Sequence, residues 1–143
     1  MKRSHYAFLI AALLMLPGAA LAEQAKGLNV IVTSADRQAQ MMAMVLSLQT
    51  MKTHGKEVTI ILCASAGDLA LQSTETPTFP PLDKSPTMLL HTLLERGAKV
   101  VVCPMYLPTV GKTTDDLIQG IVVGKPPVCA GQVLDEDYQN LTF

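Results

Sequence analysis

Residues 85–103 read Ser-Pro-Thr-Met-Leu-Leu-His-Thr-Leu-Leu-Glu-Arg-Gly-Ala-Lys-Val-Val-Val-Cys. A helix and a strand follow one another here with punctuation at each end. Ser85 suits a helix cap, Pro86 the first turn, and Gly97 the left-handed position after the last turn. Between them, Leu89, Leu90, Leu93 and Leu94 form one apolar stripe. Ala98–Cys103 is then a near-continuous apolar run, the pattern of a parallel strand covered on both faces. A helix running through a glycine stop into such a strand predicts an α/β fold.

The same grammar extends in both directions. Leu28–Thr33 and Val58–Cys63 read as two more buried parallel strands, rich in Val and Ile. Arg37 to Thr53 between them reads as a helix, with Met41, Met44, Val45, Leu48 and Met51 on one face and His54-Gly55 as its stop. A short helix is expected from Thr113 or Thr114, where Asp115 and Asp116 meet the positive end of the dipole. Pro126-Pro127 opens a fourth helix, and Tyr138–Phe143 reads as a last strand. The sum is a three-layer α/β sandwich with a mostly parallel sheet of about five strands, helices lying on both faces. Ser65 to Lys84 breaks the pattern; a patternless stretch of about twenty residues is either a functional segment or a surface loop.

Residues 1–22 carry a different signal. Lys2 and Arg3 precede an apolar run from Ala7 to Leu16, Pro17-Gly18 breaks it, and Ala20-Leu21-Ala22 supplies the small residues a signal peptidase requires. The run is about half the roughly 20 residues a spanning helix needs, so it reads as a cleavable secretory signal, cut after Ala22. The remainder, residues 23–143, reads as one domain. Its formal charge moves from −1 to −3 once Lys2 and Arg3 are gone. Neither charge offers the basic patch that nucleic acid requires, and no membrane association is expected after cleavage. An exported bacterial chain would work in the periplasm, where thiols pair or are put to use.

Two nucleotide motifs fail. Gly111-Lys112-Thr113-Thr114 sits between a strand and a helix as a phosphate loop would, but the required earlier glycine is Tyr106, and Pro108 removes one N–H of the cradle. No Gly-x-Gly-x-x-Gly is present, and no cofactor is expected. The three cysteines, Cys63, Cys103 and Cys129, are too few for a disulfide scaffold and odd in number. Cys63 and Cys103 each end a predicted strand, the edge where open α/β sheets bind ligands. Cys103 opens the turn Cys-Pro-Met-Tyr-Leu-Pro, which would hold its thiol in place, and Lys112 with a helix start at Thr113 follows it. Such cations and N–H groups lower a thiol pKa. Against this, unpaired cysteines are often simply buried small hydrophobes, the reading favoured for Cys63 and for Cys129. His54 and His91 have no metal-ligand spacing. Met41, Met42, Met44 and Met51 are explained by helix packing; Met105, two residues from Cys103, is the one that suggests a soft metal such as Cu(I), with Cys63 as a further ligand.

Taken together, Asn29-Val30-Ile31-Val32-Thr33, the Met/Leu helix, Glu57-Val58-Thr59-Ile60-Ile61-Leu62 and Leu93–Cys103 resemble the DsrE/DsrF-like family of small sulfur-handling proteins. Gly111, Leu117-Ile118-Gln119-Gly120-Ile121 and Leu141-Thr142-Phe143 extend the resemblance over residues 27–143. It implies a flavodoxin-like, DsrE-like sandwich, assembly into homo-oligomers, and a strand-end cysteine, here Cys103, that carries sulfur as a persulfide. A thiol-bearing protein as donor or acceptor goes with that role. The familiar relay members work in the cytoplasm, whereas this chain carries an export signal. Three functions are therefore set against one another: a sulfur carrier or sulfurtransferase using Cys103, a non-enzymatic Cu(I)-binding module, and an oligomeric interaction protein with an incidental thiol.

Overall fold

The computed structural model describes residues 25–143, and the signal sequence expected over residues 1–22 lies outside them. Five parallel strands form one sheet: β1 (Gly27–Val32), β2 (Glu57–Leu62), β3 (Lys99–Val102), β4 (Ile121–Val123) and β5 (Tyr138–Thr142), in the order β4-β3-β2-β1-β5. The α/β sandwich read from the sequence is the observed fold. The helices are α1 (Arg37–His54), α2 (Pro86–Glu95), a single turn α3 (Tyr106–Thr109) and α4 (Pro126–Val133), with 3-10 turns at Ala64–Ala70 and Thr114–Asp116.

The expected Ser85 cap and the glycine stops are in use, and Asp36 is a further cap that the sequence reading does not name. Asp36 accepts the Ala39 N–H at the start of α1 and Ser85 accepts the Met88 N–H at the start of α2. Gly55 and Gly97 end these helices with φ of 62° and 88°, values that favour glycine. Two features go beyond the sequence reading. The short strand β4 was not anticipated, and the first third of the Ser65–Lys84 stretch is ordered structure. Ala66, Leu69 and Ala70 of that 3-10 helix are fully buried against the core.

Strand order explains how the helices are shared between faces. The chain steps in one direction from β1 to β4, and right-handed crossovers put α1, α2 and the β3–β4 connection on one face. There Val30, Val32, Ile60, Leu62, Val100 and Val102 meet Met41, Met44, Leu90 and Leu93 in the core. The last crossover runs backward from β4 to β5, so α4 alone lies on the opposite face. Eight helical residues span about 12 Å, less than the roughly 19 Å width of five strands, so α4 covers that face only in part. The buried Asn29 ties it down: its amide donates to the Gln132 carbonyl (2.8 Å) and to Asn140 Oδ1 (2.9 Å), and accepts from Gln132 Nε2 (3.0 Å).

Candidate functional site

The thiols are placed by the sheet register itself. β2 and β3 pair with Thr59 beside Lys99 and Leu62 beside Val102, and one further step sets Cys63 beside Cys103. β3 pairs with β4 as Val102 beside Val123, so Gly124 comes next to Cys103. The hydrogen-bond ladder continues through all of these positions just past the strand ends. Cys63 N donates to the Val32 carbonyl (2.9 Å), Cys103 N to that of Leu62 (2.8 Å), and Gly124 N to that of Val102 (2.8 Å). Thr33, Cys63, Cys103 and Gly124 thus form a row along the carboxyl edge. The alternation of the pleat sends Cys63 and Cys103 to the α4 face, with Thr59, Ile61 and Val101.

Cys129 joins the row from the other direction. It sits in the first turn of α4, and a Cβ built on Gly124 would lie 2.9 Å from its Sγ. The sulfur therefore occupies the space a side chain at position 124 would fill. All three thiols are free and partly buried. Burial, then the charge and hydrogen bonding of Cys103, then the charge of Cys129, push the Cys63 thiol up to about 11.

The row separates two cavities. One, of ≈ 460 Å³, opens over Cys103 and is walled by Ala64, Ser65, Met105, Tyr106, Thr109 and Val110. The other, of ≈ 550 Å³, is an apolar groove between α4 and the sheet, walled by Ile61, Val101, Val122, Val128 and Cys129 among others. Cys63 lines neither. The first cavity has a built wall. The Tyr106 ring packs flat on Gly67, where a Cβ would collide with it. Behind it, Arg37 pairs with Asp68 (2.7 Å) and donates to Gln40 (2.8 Å). Burial and the Asp68 charge raise the Tyr106 pKa, which keeps its hydroxyl protonated. Ala64, directly after Cys63, holds φ at 48°, a left-handed backbone that bends the chain as it leaves β2.

Several expectations for this edge are corrected. Lys112 and the N-terminus at Thr113 do not serve Cys103. Lys112 Nζ bonds Asp116 Oδ1 (3.0 Å), and Thr113 N–H is capped by Asp116 Oδ2 (2.9 Å), so the 3-10 turn consumes its own donors. Cys129, read as packing, stands in the thiol row. Met41 and Met44 are core residues as read and Met51 packs against the core, whereas Met42, grouped with them, is exposed. Met105 shares the cavity of Cys103 but is 72 % exposed. Among the described residues no group of three or more His, Cys, Asp or Glu is placed to hold a metal ion. Among the same residues no helix is long and apolar enough to cross a membrane.

No family model matches the sequence, and no curated protein matches it. Solved structures do. The YchN protein from E. coli superposes with a TM-score of 0.68 at 19 % identity, over 82 % of this chain and 99 % of that one. MTH1491 from Methanobacterium thermoautotrophicum, a protein of unknown function, gives 0.60 at 12 % identity, over 81 % and 99 %. At these identities the likeness is one of fold.

Proposed function

We propose that this chain is an exported DsrE/DsrF-like sulfur carrier or sulfurtransferase in which Cys103 bears the transferred sulfur as a persulfide. One observation carries the reading: Cys103 is the thiol of the row that opens into the cavity walled by Ser65 and Tyr106. The fold shared with YchN supports it, as does the position of the thiol at the carboxyl edge where α/β sheets bind ligands.

In the reaction, the Cys103 thiolate attacks the sulfane sulfur of a donor, and the donor's S–S bond breaks with its electron pair leaving on the donor. The new S–S bond is the persulfide. An acceptor thiolate then attacks the outer sulfur and returns Cys103 to the thiolate. The donor or acceptor is a thiol-bearing partner protein, and the compartment is the periplasm, reached through cleavage after Ala22. Copies of the chain associate through the exposed apolar residues of the α4 face, Val122 (59 %) and Val128 (66 %).

Mass spectrometry after incubation with thiosulfate or polysulfide tests the chemistry. Added sulfur on the Cys103 peptide, lost in Cys103→Ser, is expected; sulfur added elsewhere, or nowhere, overturns the reading. N-terminal sequencing of the chain recovered from a bacterial periplasm tests the export, and light scattering the assembly.

A further inference from the structure

We infer that Cys63 and Cys103 are a reversible dithiol–disulfide pair that exchanges with small disulfides entering through the Cys103 cavity. This does not rest on the sulfur-carrier reading, since it needs only the geometry of the row. Cys63 and Cys103 are register neighbours on adjacent strands, on the same face, each hydrogen-bonded in place through its own N–H. Adjacent strands lie about 4.8 Å apart, within the roughly 4.4–6.8 Å that a disulfide spans between Cα atoms. Both residues lie just past the regular strands, and the left-handed Ala64 lets the chain leave immediately after Cys63. Closing the bond needs the two Cβ atoms to draw together from about the strand spacing to the roughly 3.5–4.5 Å of a disulfide, a small movement open to residues outside the regular strands.

Access sets the order of events. Cys103 lines the open cavity and Cys63 does not, so an external disulfide meets Cys103 first. The Cys103 thiolate attacks one sulfur of the disulfide RSSR; the S–S bond of RSSR breaks and RS⁻ leaves, giving Cys103–S–S–R. Cys63 then loses its proton to solvent and attacks Cys103 Sγ. The bond to R breaks, and a second RS⁻ leaves. The two protein thiols lose two electrons, RSSR gains them, and two RSH are released after protonation. Reduction by two equivalents of thiol reverses the sequence.

The electrostatics favour the same order. Part of what holds the Cys63 proton on is the neighbouring Cys103 charge, and capping Cys103 as a neutral mixed disulfide removes that part. Burial, the larger cause, persists, so capping Cys103 eases the loss of the Cys63 proton only in part. Cys129 is the competing partner. It lies over Gly124, the neighbour of Cys103 on the other side, and faces the apolar groove instead of the entry cavity.

The test uses the mature chain, equilibrated with excess oxidised glutathione, alkylated, digested and mapped by mass spectrometry. The expected result is a Cys63–Cys103 linked peptide with Cys129 alkylated, in both wild type and Cys129→Ser. Cys63→Ser should stop at a glutathione adduct on Cys103 that persists at least about a hundredfold longer than in wild type. A wild-type chain that stops at the same adduct, or that bridges Cys103 to Cys129, overturns the proposal. Both of those outcomes are read on wild-type protein and do not depend on any variant folding. A chain that forms the bridge yet takes no sulfur from thiosulfate would leave this pair standing and remove the sulfur-carrier reading; the converse result would do the opposite.

Discussion

The two faces of one sheet are built to different standards. On the α1–α2 face, Val30, Val32, Ile60 and Leu62 are fully buried, and the packing is mostly aliphatic, with Gln40 and Ser47 of α1 as its fully buried polar residues. On the α4 face the same strands present Asn29, Thr59, Ile61, Lys99 and Val101 to one short helix that has no buried residue of its own. The thiols belong to this second face. The difference shows a division of labour imposed by topology: three crossovers in one direction bury a core, and the single return crossover leaves an edge where side chains can meet a ligand. Burial is thereby concentrated on one face, and the thiols lie on the other.

Truncating one aliphatic side chain to alanine on each face should break or confirm that division most clearly. Ile60→Ala or Leu90→Ala opens a cavity among fully buried neighbours and is expected to cost about 2–5 kcal/mol. Val122→Ala on the opposite face should stay within about 0.5 kcal/mol at protein concentrations low enough to keep the copies apart. Urea midpoints measure both; similar losses in the separated chain would mean the α4 face is covered within the fold itself. Asn29→Leu comes next, at about 1–3 kcal/mol, because the Gln132 carbonyl and side chain and Asn140 lose their shared partner. Its signature is local: hydrogen exchange should accelerate across residues 126–133 before it does in α1. Gly124→Ala is expected to cost about 1 kcal/mol by forcing Cys129 Sγ aside. Faster alkylation of Cys129 in that variant, with Cys63 and Cys103 unchanged, would confirm that the missing side chain makes room for the thiol.

The first face was legible in the sequence and the second was not, for a physical reason. Helix stripes, caps and continuous strands are local patterns, so Ser85, Gly97, Met44 and Leu90 could be assigned from their own neighbourhoods. The strand-end position of Cys103 was readable in the same way, since it follows an uninterrupted Val100-Val101-Val102. Its neighbours were not. That Cys63 stands beside it depends on the pairing of β2 with β3, a non-local register that no window of sequence contains. Cys129 depends on two such facts, the register of β4 and the return of α4 over Gly124. The only local hint was a glycine closing a short Ile-Val-Val run just before a proline-started helix with a cysteine in its first turn. Lys112 failed in the opposite direction: its position near Cys103 in sequence was real, but Asp116, four residues on, claims its charge.

The smallest expected effect is also the one most specific to the thiol face. Cys63 has its proton held on by burial and by its two thiol neighbours, to about 11 against an ordinary value of 9.0. A group whose pKa is raised by folding stabilises the native state while it stays protonated. That contribution is complete below about pH 9 and is lost as pH climbs toward 11. Wild type and Cys63→Ser should therefore respond alike to pH between 6 and 8, roughly, and diverge between about 9 and 11, with wild type losing stability faster. Cys103→Ser removes one of the two charges that press on Cys63 and should lower the upper end of that window, shrinking the divergence without abolishing it, because burial is the larger cause. Denaturant titrations at stepped pH, with thiolate absorbance read in parallel, distinguish the cases. A Cys63 that ionises near 9 in Cys103→Ser and wild type alike would mean the two sulfurs do not sense each other, and the row would reduce to three separate thiols.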